Sequence, residues 1–579
     1  MRKRRSMVRW FNPLQLAETA VRVAISSIFG EFADRRELTA ITRHIDPDAL
    51  DPAYDYSGVR SDFWVDYIAD TGDGWNPTYA MARLLATPKL TVNGCPEELP
   101  LAGVVVMGGD QVYPTASRDE YAERLVAPFD EAAKTIPKRK KADLYAIPGN
   151  HDWYDGLLAF LGLFSRRRIA SSWSRSRDGR VVGGRKTKQV RSYFAIKLPH
   201  DWWIWGVDVQ LKGYIDQPQI DFFARAADEW MAEGSRLIIC TGMPSWAYVD
   251  PDDPEKEFRN FSYLQGIVDA ADRGHRLCLV LTGDSHHYSR YLEGDCQYVT
   301  AGGGGAFLHP THHLEDKSFD WRYPRPGVRQ QSGITNYRRE FEIAKDQNTG
   351  AESLFPARKT SRRLAWRNLA FAWLNWEYTV TLAAIIGIFT WLISANARIG
   401  GWKLSNIWAD GSDPWVALCG YAASLVISPW PLILLGAALL GYYGFADFKG
   451  WRRWLAGGLH ALVQGGVAIF STVLLAFWIR DREALLVLLA GVIGGVLAAT
   501  VMGLYLLVCL RWFGKHWNEA FSSLRIEDYK CFLRLRIDRN GNLKIFPVGL
   551  TRVPRDDGTP SPANPELTPH LIETPIDIT

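Results

Sequence analysis

Four long stretches without a charged residue dominate the second half of this chain of 579 residues: 378–395, 415–446, 454–479 and 484–510. A helix that crosses about 30 Å of hydrocarbon needs about 20 apolar residues, because each residue rises about 1.5 Å. The last two stretches have this length, and the first reaches it when Trp376 and Glu377 are added. One such stretch is also typical of a buried core helix. Four of them within about 135 residues predict an α-helical transmembrane region of about four helices.

The stretch 415–446 leaves two arrangements open. It is too long for one straight span and contains Pro429 and Pro431, so it forms either one kinked helix with an interfacial extension or a helical hairpin. Basic residues help to decide, because cytoplasmic loops are rich in Lys and Arg. They are concentrated at 358–367, 449–453 and 511–515. Four spans place all three groups in the cytoplasm. We therefore expect a multi-pass protein of the plasma or inner membrane with both large flanking regions in the cytoplasm.

Few polar residues lie inside the predicted spans. His460 and Gln464 are one helical turn apart in the third span, and we expect them to form a helix–helix hydrogen bond. Gly495, Ala499 and Gly503 recur every four residues, which is typical of closely packed helices. Because no charged residue lies within the four stretches, the sequence disfavours a transporter.

The composition excludes several classes of protein. Hydrophobic residues make up 47% of the chain and charged residues 22%, which excludes a disordered chain. The net charge of +4 is close to balance, so no nucleic-acid partner is expected. The seven cysteines lack CxxC spacing, and they are typical of a reducing compartment rather than of a disulfide framework.

An amphipathic helix is predicted near the N-terminus. Its apolar side chains recur at helical spacing: Leu14, Ala17, Val21, Ile25, Ile28 and Phe32. Such a helix either lies on the membrane surface or packs on the folded domain, and the sequence leaves both possibilities open. Arg4 and Arg5 resemble the start of a twin-arginine signal. Glu18 and Arg22 interrupt the apolar core that such a signal requires, so we do not expect one.

Up to about residue 355, strand-like apolar runs alternate with helical stretches, which predicts an α/β fold. Five of the runs lead directly into a cluster with polar residues: Asp70–Asp73, Gly108–Tyr113, Gly149–Asp152, Thr241–Pro244 and Thr282–His287. In α/β folds, sites form where strands deliver loops at their carboxyl ends. Four of these clusters supply Asp, Asn or His side chains, which are ligands for hard or borderline metal ions. A single Asp-Gly pair would be an ordinary turn, but four clusters in order predict a metal site.

The order D-x-G, G-D-x-x-Y, G-N-H-D and G-D-x-H resembles the calcineurin-like metallophosphoesterases over residues 60–310. The resemblance implies a four-layer α/β/β/α sandwich that hydrolyses phosphate esters with a pair of metal ions. Gly72 stands where many members have a metal-binding His. Tyr113 completes a motif similar to that of the purple acid phosphatases, in which a tyrosinate binds that same metal. The motifs at 109–113 and 283–286 also resemble the alkaline phosphatase D group.

Carried over residue by residue, the resemblance implies two sets of metal ligands. The first metal ion would be held by Asp70, Asp110, Tyr113 and His286. The second would be held by Asp110, Asn150 and Asp284, so that Asp110 bridges the two ions. His151 would act as a catalytic residue facing the substrate, with its ring oriented by Asp152 or Asp70.

Two departures from the family pattern affect the second site. The family usually has a His near Thr241 and Gly242, where this chain has none, and Asp284 replaces the first His of the family's G-H-x-H. Oxygen ligands alone favour Mn, Mg or Ca at the second site, whereas the phenolate and imidazole of the first site suit Fe or Mn. Four further imidazoles are candidates for substitute ligands: His287, His309, His312 and His313. The alternative is a degenerate phosphoesterase domain in a non-catalytic membrane scaffold or sensor.

Two basic segments bear on the substrate. Residues 166–191 contain ten Lys or Arg and one acid, and residues 138–141 are all basic. Such segments are either solvated insertions or, beside a membrane anchor, binding sites for anionic lipid headgroups. We therefore expect Arg166, Arg167 and Arg168 to contact the headgroup of a phosphorylated lipid or lipid-linked substrate at the cytoplasmic face. A soluble phosphorylated small molecule or a phosphoprotein is the alternative.

The residues after the last span predict a small β-structure. Alternating residues of 532–538 and 543–548 flank Asn540-Gly541, which predicts a β-hairpin that docks on the cytoplasmic domain. Residues 556–579 are rich in Pro and polar residues and predict a flexible tail. The predicted domains are 1–59, 60–355, 356–512 and 513–579. The spans and the family resemblance together predict a membrane-anchored, metal-dependent hydrolase of a phosphate mono- or diester.

Overall fold

The computed structural model describes residues 4–19, 21, 53–134, 142–165, 181–209, 215–321, 337–408, 413–555 and 567–578. The chain divides into two compact units. The sheet unit comprises Met1–Val8, Thr19–Ser361 and Arg525–Thr579, and the helical unit comprises Arg9–Glu18 and Arg362–Leu524.

The larger sheet of the sheet unit contains ten strands in the described part of the chain. Four neighbouring strands at its centre are parallel and consist almost entirely of apolar residues, as expected for strands covered on both faces. Leu354–Phe355 pairs with Tyr288–Glu293 beside the main path. The order across the sheet is Tyr54–Asp55, Phe194–Lys197, Trp202–Gly206, Arg236–Thr241, Arg276–Thr282, Cys296–Ala301, Tyr288–Glu293, Tyr337–Ile343 and Lys317–Trp321.

The smaller sheet contains nine described strands, of which Phe63–Ile68, Val104–Met107 and Asp143–Ala146 are parallel neighbours. In their register, Val65 lies beside Val104 and Val104 beside Asp143. Ile576–Ile578 pairs with the second strand of the main path. That path runs His570–Leu571, Leu543–Leu550, Lys530–Ile537, Phe63–Ile68, Val104–Met107, Asp143–Ala146, Arg185–Thr187 and Val181–Val182.

The two sheets pack face to face and are covered by helices on their outer faces. Val65 and Val104 of the smaller sheet share one buried cluster with Ile204 and Ile238 of the larger sheet. The outer face of the smaller sheet is covered by the helices Trp75–Ala86, Ala127–Ala133 and Leu158–Phe164. The outer face of the larger sheet is covered by the helices Gln217–Arg225 and Glu255–Ala270. These layers form the predicted α/β/β/α sandwich.

Shorter elements connect these layers. The strands Lys89–Leu90 and Leu99–Pro100 form a separate two-stranded ladder. The remaining helices of this region are Arg118–Glu120, Tyr121–Val126, Asn150–Trp153, Pro199–Asp201, Ala226–Trp230, Ser245–Tyr248 and Arg358–Ala365.

The predicted C-terminal hairpin is an integral part of the smaller sheet. Lys530–Ile537 pairs antiparallel with Leu543–Leu550 on one side and with Phe63–Ile68 on the other. In the turn, the carboxylate of Asp538 accepts hydrogen bonds from the N–H groups of Asn540 and Asn542 at 2.8 and 2.9 Å. Because it pairs with a central strand, the hairpin completes the phosphoesterase-like core instead of resting on its surface.

The prediction of a flexible tail over 556–579 is wrong for its second part. Residues 567–578 are ordered against the hairpin, with His570–Leu571 and Ile576–Ile578 added as strands beside Leu543–Leu550. Ile576 and Ile578 are buried, and the carboxylate of Glu573 forms a buried ion pair with Arg290 at 2.5 Å. The two isoleucines alternate with an exposed Asp577, which is the pattern of a strand with one buried face. This local pattern decides the structure of the segment in spite of its polar composition. Residues 556–566 lie outside the described part of the chain.

In the helical unit, three described helices are long and apolar enough to cross a membrane: Trp376–Ile399, Gly450–Trp478 and Glu483–Phe513. The shorter helices are Trp366–Ala370, Phe371–Leu374, Leu404–Asn406, Pro414–Val426, Trp430–Phe445 and Trp517–Ser522. A fourth span is reached if Cys419–Val426 and Trp430–Phe445 count together, although the two are bent by 91°.

This bend lies at the Pro-containing segment that the sequence identified. Pro429 and Pro431 lack the N–H groups that would continue the helix. The side chain of Asn396 stabilises the break, because its amide donates to the carbonyl oxygen of Ser424 at 2.6 Å and accepts from the hydroxyl of Ser428 at 2.8 Å. The geometry is that of a broken span or a re-entrant loop, not that of two complete spans.

Small residues bring the helices of this unit close together. A Cβ atom added at Gly495 would lie 2.6 Å from the backbone of Ala383, and one at Gly503 would lie 2.3 Å from the carbonyl oxygen of Asn368. Gln464 donates to the carbonyl oxygen of Ala498 on the neighbouring helix at 3.0 Å and lies 3.2 Å from His460. The predicted packing stripe and the predicted helix–helix hydrogen bond are therefore both present.

The predicted N-terminal amphipathic helix is described over residues 13–19 and at Val21. Leu14 and Val21 are exposed, with relative accessibilities of 82% and 58%. Neither side chain is therefore buried by the described part of the chain. Ile25, Ile28 and Phe32 lie outside the described residues.

A buried ion pair joins the hairpin to the centre of the smaller sheet. The guanidinium of Arg534 contacts both carboxylate oxygens of Asp66 at 2.7 and 2.9 Å and donates to the carbonyl oxygen of Leu99 at 3.2 Å. Both side chains are fully buried. Removing one member of such a pair leaves an uncompensated buried charge, which costs about 3–5 kcal/mol.

We predict that Arg534→Met lowers the free energy of unfolding of the sheet unit by about 3–5 kcal/mol. The measurement is the midpoint of Trp fluorescence during thermal unfolding of the detergent-solubilised protein. Arg539→Met is the matched control, because Arg539 is exposed and lies 4.0 Å from Asp62. A midpoint equal to that of the control variant would show that the buried pair contributes no stability.

Candidate metal centre

The loops with predicted ligands all follow strands whose carboxyl ends share an edge of their sheet. Phe63–Ile68, Val104–Met107 and Asp143–Ala146 are parallel neighbours in the smaller sheet, and they lead to Asp70, Asp110 and Asn150. Arg276–Thr282 of the larger sheet leads to Asp284 and His286. Because the sheets face each other, loops separated by up to about 200 residues of sequence meet at one place.

The hydroxyl of Tyr113 is the centre of the first ligand set. It lies 3.0 Å from Oδ1 of Asp70, 3.4 Å from Oδ2 of Asp110 and 2.9 Å from Nε2 of His286. Nε2 of His286 also lies 3.8 Å from Oδ1 of Asp70. All four side chains are buried. The structure therefore brings together the four residues that the sequence assigned to the first metal ion.

Backbone strain occurs at the three carboxylates of the site. Asp70, Asp110 and Asp284 have φ angles of 56°, 49° and 62°, in the left-handed region that residues other than glycine rarely adopt. Such conformations cost about 1–3 kcal/mol each and are concentrated at functional sites. Hydrogen bonds hold the loops in place, including those from the N–H of Asp70 to Gly109 and from the N–H of Thr71 to Asp110, at 3.0 and 3.1 Å.

Glycines allow other backbone segments to approach the carboxylates closely. A Cβ atom at Gly283 or Gly302 would lie 2.6 or 2.5 Å from Oδ2 of Asp70, and one at Gly149 would lie 2.2 Å from Oδ1 of Asp110. Oδ2 of Asp70 is buried and has no hydrogen-bond partner among the described residues. The site thus offers a carboxylate oxygen that the protein itself does not satisfy.

The tautomer of His286 is set by a backbone carbonyl. Its Nδ1 lies 2.7 Å from the carbonyl oxygen of Phe307, which can only accept, so Nδ1 carries the proton. Nε2 is then the basic nitrogen, and it is the atom beside Tyr113. Burial lowers the pKa of His286 well below its usual range, which keeps the imidazole in the neutral form that binds metal ions.

The residues of the second ligand set lie around Asp110. Oδ1 of Asp110 accepts the N–H of His151 at 2.8 Å, which places the start of the helix Asn150–Trp153 beside it. The backbone N–H of Asp284 donates to Asp70 at 3.1 Å. The amide of Asn150 contacts the hydroxyl of Tyr154 at 3.1 Å. Asp284 and Asn150 are half-buried.

His151 is near the ligands, but Asp152 does not orient it as predicted. The ring nitrogen Nδ1 of His151 lies 2.7 Å from the carbonyl oxygen of Pro114, which therefore orients the ring. The carboxylate of Asp152 is fully buried, and its partners among the described residues are the N–H groups of Gln111 and Gly149 and the hydroxyl of Tyr121. Because its carboxylate accepts N–H groups from both Gln111 and Gly149, Asp152 connects the backbones of two loops. These hydrogen bonds also offset the cost of burying the carboxylate.

Burial of several carboxylates together strongly perturbs their ionisation. Burial and the neighbouring charges of Asp110 and Asp284 raise the pKa of Asp70 well above its usual range. Burial raises the pKa of Asp110 to about 7, and burial together with Asp110 raises the pKa of Asp284 to about 7. A bound cation would reverse these shifts, because it favours the charged form of each group.

The first ligand set has the donor types of a metal site. Donors that surround one ion at about 2.0–2.2 Å lie about 3.0–3.5 Å from each other. Four distances within the set range from 2.9 to 3.8 Å, three of them from the hydroxyl of Tyr113 and one from His286 to Asp70. In the described part of the chain, no group of three or more His, Cys, Asp or Glu side chains is arranged for an ion. Asp70, Asp110 and His286 therefore do not form such a group by themselves, and the set depends on the phenol of Tyr113.

The other predicted site residues have varied positions. His309 stacks on His286 with ring centroids 3.8 Å apart, and its Nδ1 accepts the N–H of His286 at 3.1 Å. His312 contacts the hydroxyl of Ser361 at 2.8 Å. His287 is buried, and His313 is half-buried with its pKa lowered by burial. Arg166, Arg167 and Arg168 lie outside the described residues, as do the basic residues 138–141.

Several residues near the centre were not predicted from the sequence. Phe307 and Pro114 act through carbonyl oxygens, which every residue has, so no sequence signal marks them. Asp208 accepts the indole N–H of Trp153 at 3.0 Å and so supports the helix that carries His151. A signal for Asp208 existed, because it follows the strand Trp202–Gly206 by two residues.

Comparisons with known proteins identify one family model and two solved structures that are similar to this chain. Residues 63–288 match the family model of calcineurin-like phosphoesterases. A solved Plasmodium structure, described as GAP50, the anchor in the inner membrane complex, aligns at 10% identity and a TM-score of 0.30, covering 43% of this chain and 74% of that one. Purple acid phosphatase PPD1 from yellow lupin (Lupinus luteus) seeds aligns at 13% identity and a TM-score of 0.26, covering 44% and 46%. No curated protein matches the sequence.

Both TM-scores are low, so the assignment depends on the family model and not on these two likenesses. The matched segment includes Asp70, Asp110, Tyr113, Asn150 and His286. The family and the α/β fold that the motifs predicted are therefore confirmed. This chain carries a calcineurin-like phosphoesterase domain over residues 63–288.

Proposed function

We propose that this protein is a membrane-anchored, metal-dependent phosphoesterase that hydrolyses a phosphate mono- or diester. The observation that carries the proposal is the meeting of Asp70, Asp110 and His286 around the hydroxyl of Tyr113, within 2.9–3.8 Å. Burying these polar and charged side chains costs more free energy than burying apolar side chains in the same place, which favours a functional role for them.

The family implies a pair of metal ions. The first, Fe or Mn, would be held by Asp70, Asp110, Tyr113 and His286, and the second, Mn, Mg or Ca, by Asp110, Asn150 and Asp284. When bound, such ions activate a water molecule for attack on phosphorus and neutralise phosphoryl oxygens. No guanidinium or ammonium group is among the main influences on the pKa of Asp70 or Asp110 in the described part of the chain, so a metal ion would supply the countercharge.

His151 is the residue that we assign to the substrate. Its half-exposed ring lies beside Tyr113, with ring centroids 4.5 Å apart, and the carbonyl oxygen of Pro114 orients it. From this position the imidazole can form a hydrogen bond with a phosphoryl oxygen or transfer a proton to the leaving oxygen. Asp152 is a positioning residue, because it fixes the backbone N–H groups of Gly149 and Gln111. Gly149 lies two residues before His151, and Gln111 directly follows Asp110.

The long apolar helices support membrane anchoring. Trp376–Ile399, Gly450–Trp478 and Glu483–Phe513 each have the length and hydropathy of a span. The basic residues at 358–367, 449–453 and 511–515 favour a cytoplasmic location for the phosphoesterase domain in a plasma or inner membrane. The proposed partners are accordingly the lipid bilayer and a phosphorylated substrate.

We assign a phosphorylated lipid or lipid-linked phosphate as the substrate class. The support is the run of ten Lys or Arg in residues 166–191, including Arg166, Arg167 and Arg168, in a chain with long apolar helices. Each cation near an anionic membrane surface contributes about 1 kcal/mol to binding. A soluble phosphorylated small molecule is the alternative substrate.

A non-catalytic scaffold or sensor is the second candidate function. One observation favours it: the proposed second site contains only oxygen donors, and two of them, Asn150 and Asp284, are half-buried. A domain of this kind would retain the fold and the first metal ion without turnover. Metal content and hydrolysis, measured on the same preparation, separate the two functions.

We predict that His151→Ala lowers kcat/KM for para-nitrophenyl phosphate or its diester analogue by about 10²–10⁴-fold, the usual contribution of a positioned acid–base group. Asp110→Ala is expected to abolish turnover, because it removes the ligand shared by both ions. Asp320→Ala is the control, since Asp320 is exposed on the strand Lys317–Trp321. Turnover at the level of the control in either variant would refute the assigned role.

We predict that Gly283→Ala lowers the amount of bound metal, because the new Cβ would lie 2.6 Å from Oδ2 of Asp70 and displace that carboxylate. Gly58→Ala is the matched control, since no atom lies within 4 Å of a Cβ at Gly58. The measurement is metal per chain by elemental analysis after loading with Mn(II). Equal metal content in the two variants would contradict the placement of the ion beside Asp70.

We predict that the wild-type protein hydrolyses a phosphorylated lipid in anionic vesicles in preference to a soluble short-chain analogue. Substitution of Arg166, Arg167 and Arg168 by Gln is expected to lower turnover on the vesicles by at least about tenfold, since each cation contributes about 1 kcal/mol. Turnover of the soluble analogue serves as the internal control and is expected to stay unchanged. No preference for vesicles in the wild-type protein would leave the soluble substrate class as the conclusion.

A further inference from the structure

The buried carboxylate of Asp73 connects two distant segments of the sheet unit. Its Oδ1 accepts the backbone N–H of Val8 at 2.7 Å, and its Oδ2 accepts the backbone N–H of Phe307 at 3.2 Å. Asp73 is fully buried and lies three residues after the ligand Asp70. Both of its oxygens are therefore engaged by the protein, which distinguishes Asp73 from the residues that we assign as metal ligands.

Phe307 carries the connection to His286. Its N–H is held by Asp73, and its carbonyl oxygen accepts from Nδ1 of His286 at 2.7 Å. The ring of Phe307 also packs edge-on against the imidazole, with centroids 4.7 Å apart. A shift of the Phe307 backbone would consequently change both the orientation of the imidazole and the hydrogen bond that fixes its tautomer.

The other side of Asp73 is formed by residues 4–8, which we call the N-terminal arm. The carbonyl oxygen of Arg5 accepts the N–H of Trp75 at 2.9 Å, and the carbonyl oxygen of Ser6 accepts from the guanidinium of Arg124 at 3.1 Å. The same guanidinium nitrogen donates to the carbonyl oxygen of Asp73. The arm is thus packed along the loop that begins at Asp70.

Side-chain packing keeps the N-terminal arm in this position. Met7 and Val8 are buried, with relative accessibilities of 5% and 4%. A Cβ atom at Gly74 would lie 2.7 Å from Cγ of Met7, so the loop can accept the arm only because residue 74 is glycine. An ion pair between Arg5 and Glu123 at 2.5 Å adds a further link.

We propose that Asp73 is a positioning residue for the first metal site and that the N-terminal arm acts on this site through Asp73. The path runs from the N–H of Val8 to Asp73, then through Phe307 to His286. The proposal builds on the metal-dependent function proposed above. Partners that orient a metal ligand in this way typically change metal affinity by about 10–100-fold when they are removed.

Two substitutions test the path at different points. Asp73→Asn keeps the size of the side chain but replaces one acceptor oxygen by an NH₂ group, so it cannot accept both N–H groups. Val8→Pro removes the N–H that Asp73 accepts, and it also fixes the φ angle of residue 8. Val8→Ala is the matched control, because it shortens the same side chain and retains that N–H.

The experiment measures the Mn(II) dissociation constant of the full-length protein in detergent by competition with a chelator, with bound Mn(II) followed by electron paramagnetic resonance. We expect about 10–100-fold weaker Mn(II) binding for Asp73→Asn and for Val8→Pro, and wild-type binding for Val8→Ala. The thermal midpoint of each metal-free protein is measured in parallel. A purely structural role would lower this midpoint while leaving the affinity of the folded fraction unchanged.

The outcomes separate this inference from the proposed function. If wild-type protein binds neither Mn(II) nor Fe, both proposals fail. If wild-type protein binds Mn(II) and Asp73→Asn binds it equally well, the positioning role is wrong while the proposed function stands. If Asp73→Asn does not fold, equal affinities of Val8→Pro and Val8→Ala would still overturn the role of the N-terminal arm.

Discussion

The burial of three carboxylates close to one another is the constraint on which the rest of this site depends. Burial raises the pKa of Asp70, Asp110 and Asp284, and neighbouring carboxylates raise the pKa of Asp70 and Asp284 further. All three residues have left-handed backbone conformations. A protein keeps such an arrangement only where the surrounding structure over-determines it. Here the surrounding structure consists of backbone N–H groups, closely approaching glycines and a phenol hydroxyl. A cation bound there, as we propose, would favour the charged form of each carboxylate and so offset the cost of burying it.

The scaffold that holds these groups is assembled from both ends of the sheet unit's sequence. The strand Phe63–Ile68, which leads to Asp70, pairs with Lys530–Ile537 from the C-terminal hairpin. The N–H of Cys531 donates to Gly303 at 3.0 Å, and the ammonium of Lys530 donates to Ala306 at 2.6 Å. The loop that presents Phe307 to His286 is therefore supported by residues that follow the transmembrane-type helices in sequence. Loss of the hairpin would affect the ligand loops as well as the stability of the sheet.

The sequence motifs identified the residues that gather around Tyr113, but they did not identify the residues that orient these side chains. Asp70, Asp110, Tyr113 and His286 could be predicted because their side-chain types and spacing are tied to metal binding. The role of Asp152 could not be predicted, because the side chains of His151 and Asp152, neighbours on one turn of helix, point in different directions. The order of residues 567–578 was also not predicted. The short strand there buries only two side chains, Ile576 and Ile578, and two apolar residues do not stand out in a polar segment.

The amino-acid sequence was sufficient to predict the apolar helices and the α/β character, because both depend on residue type and local spacing. Through the family resemblance it also singled out Asp70, Asp110 and His286, which the fold gathers around Tyr113. The order of residues alone could not show that hydrogen bonds connect Val8, Asp73 and Phe307 to His286. It also could not show that Pro114 orients His151. Those contacts join residues separated by up to 234 positions through backbone N–H and C=O groups. Every residue has such groups, and which of them meet depends on how the two sheets and their loops pack in three dimensions.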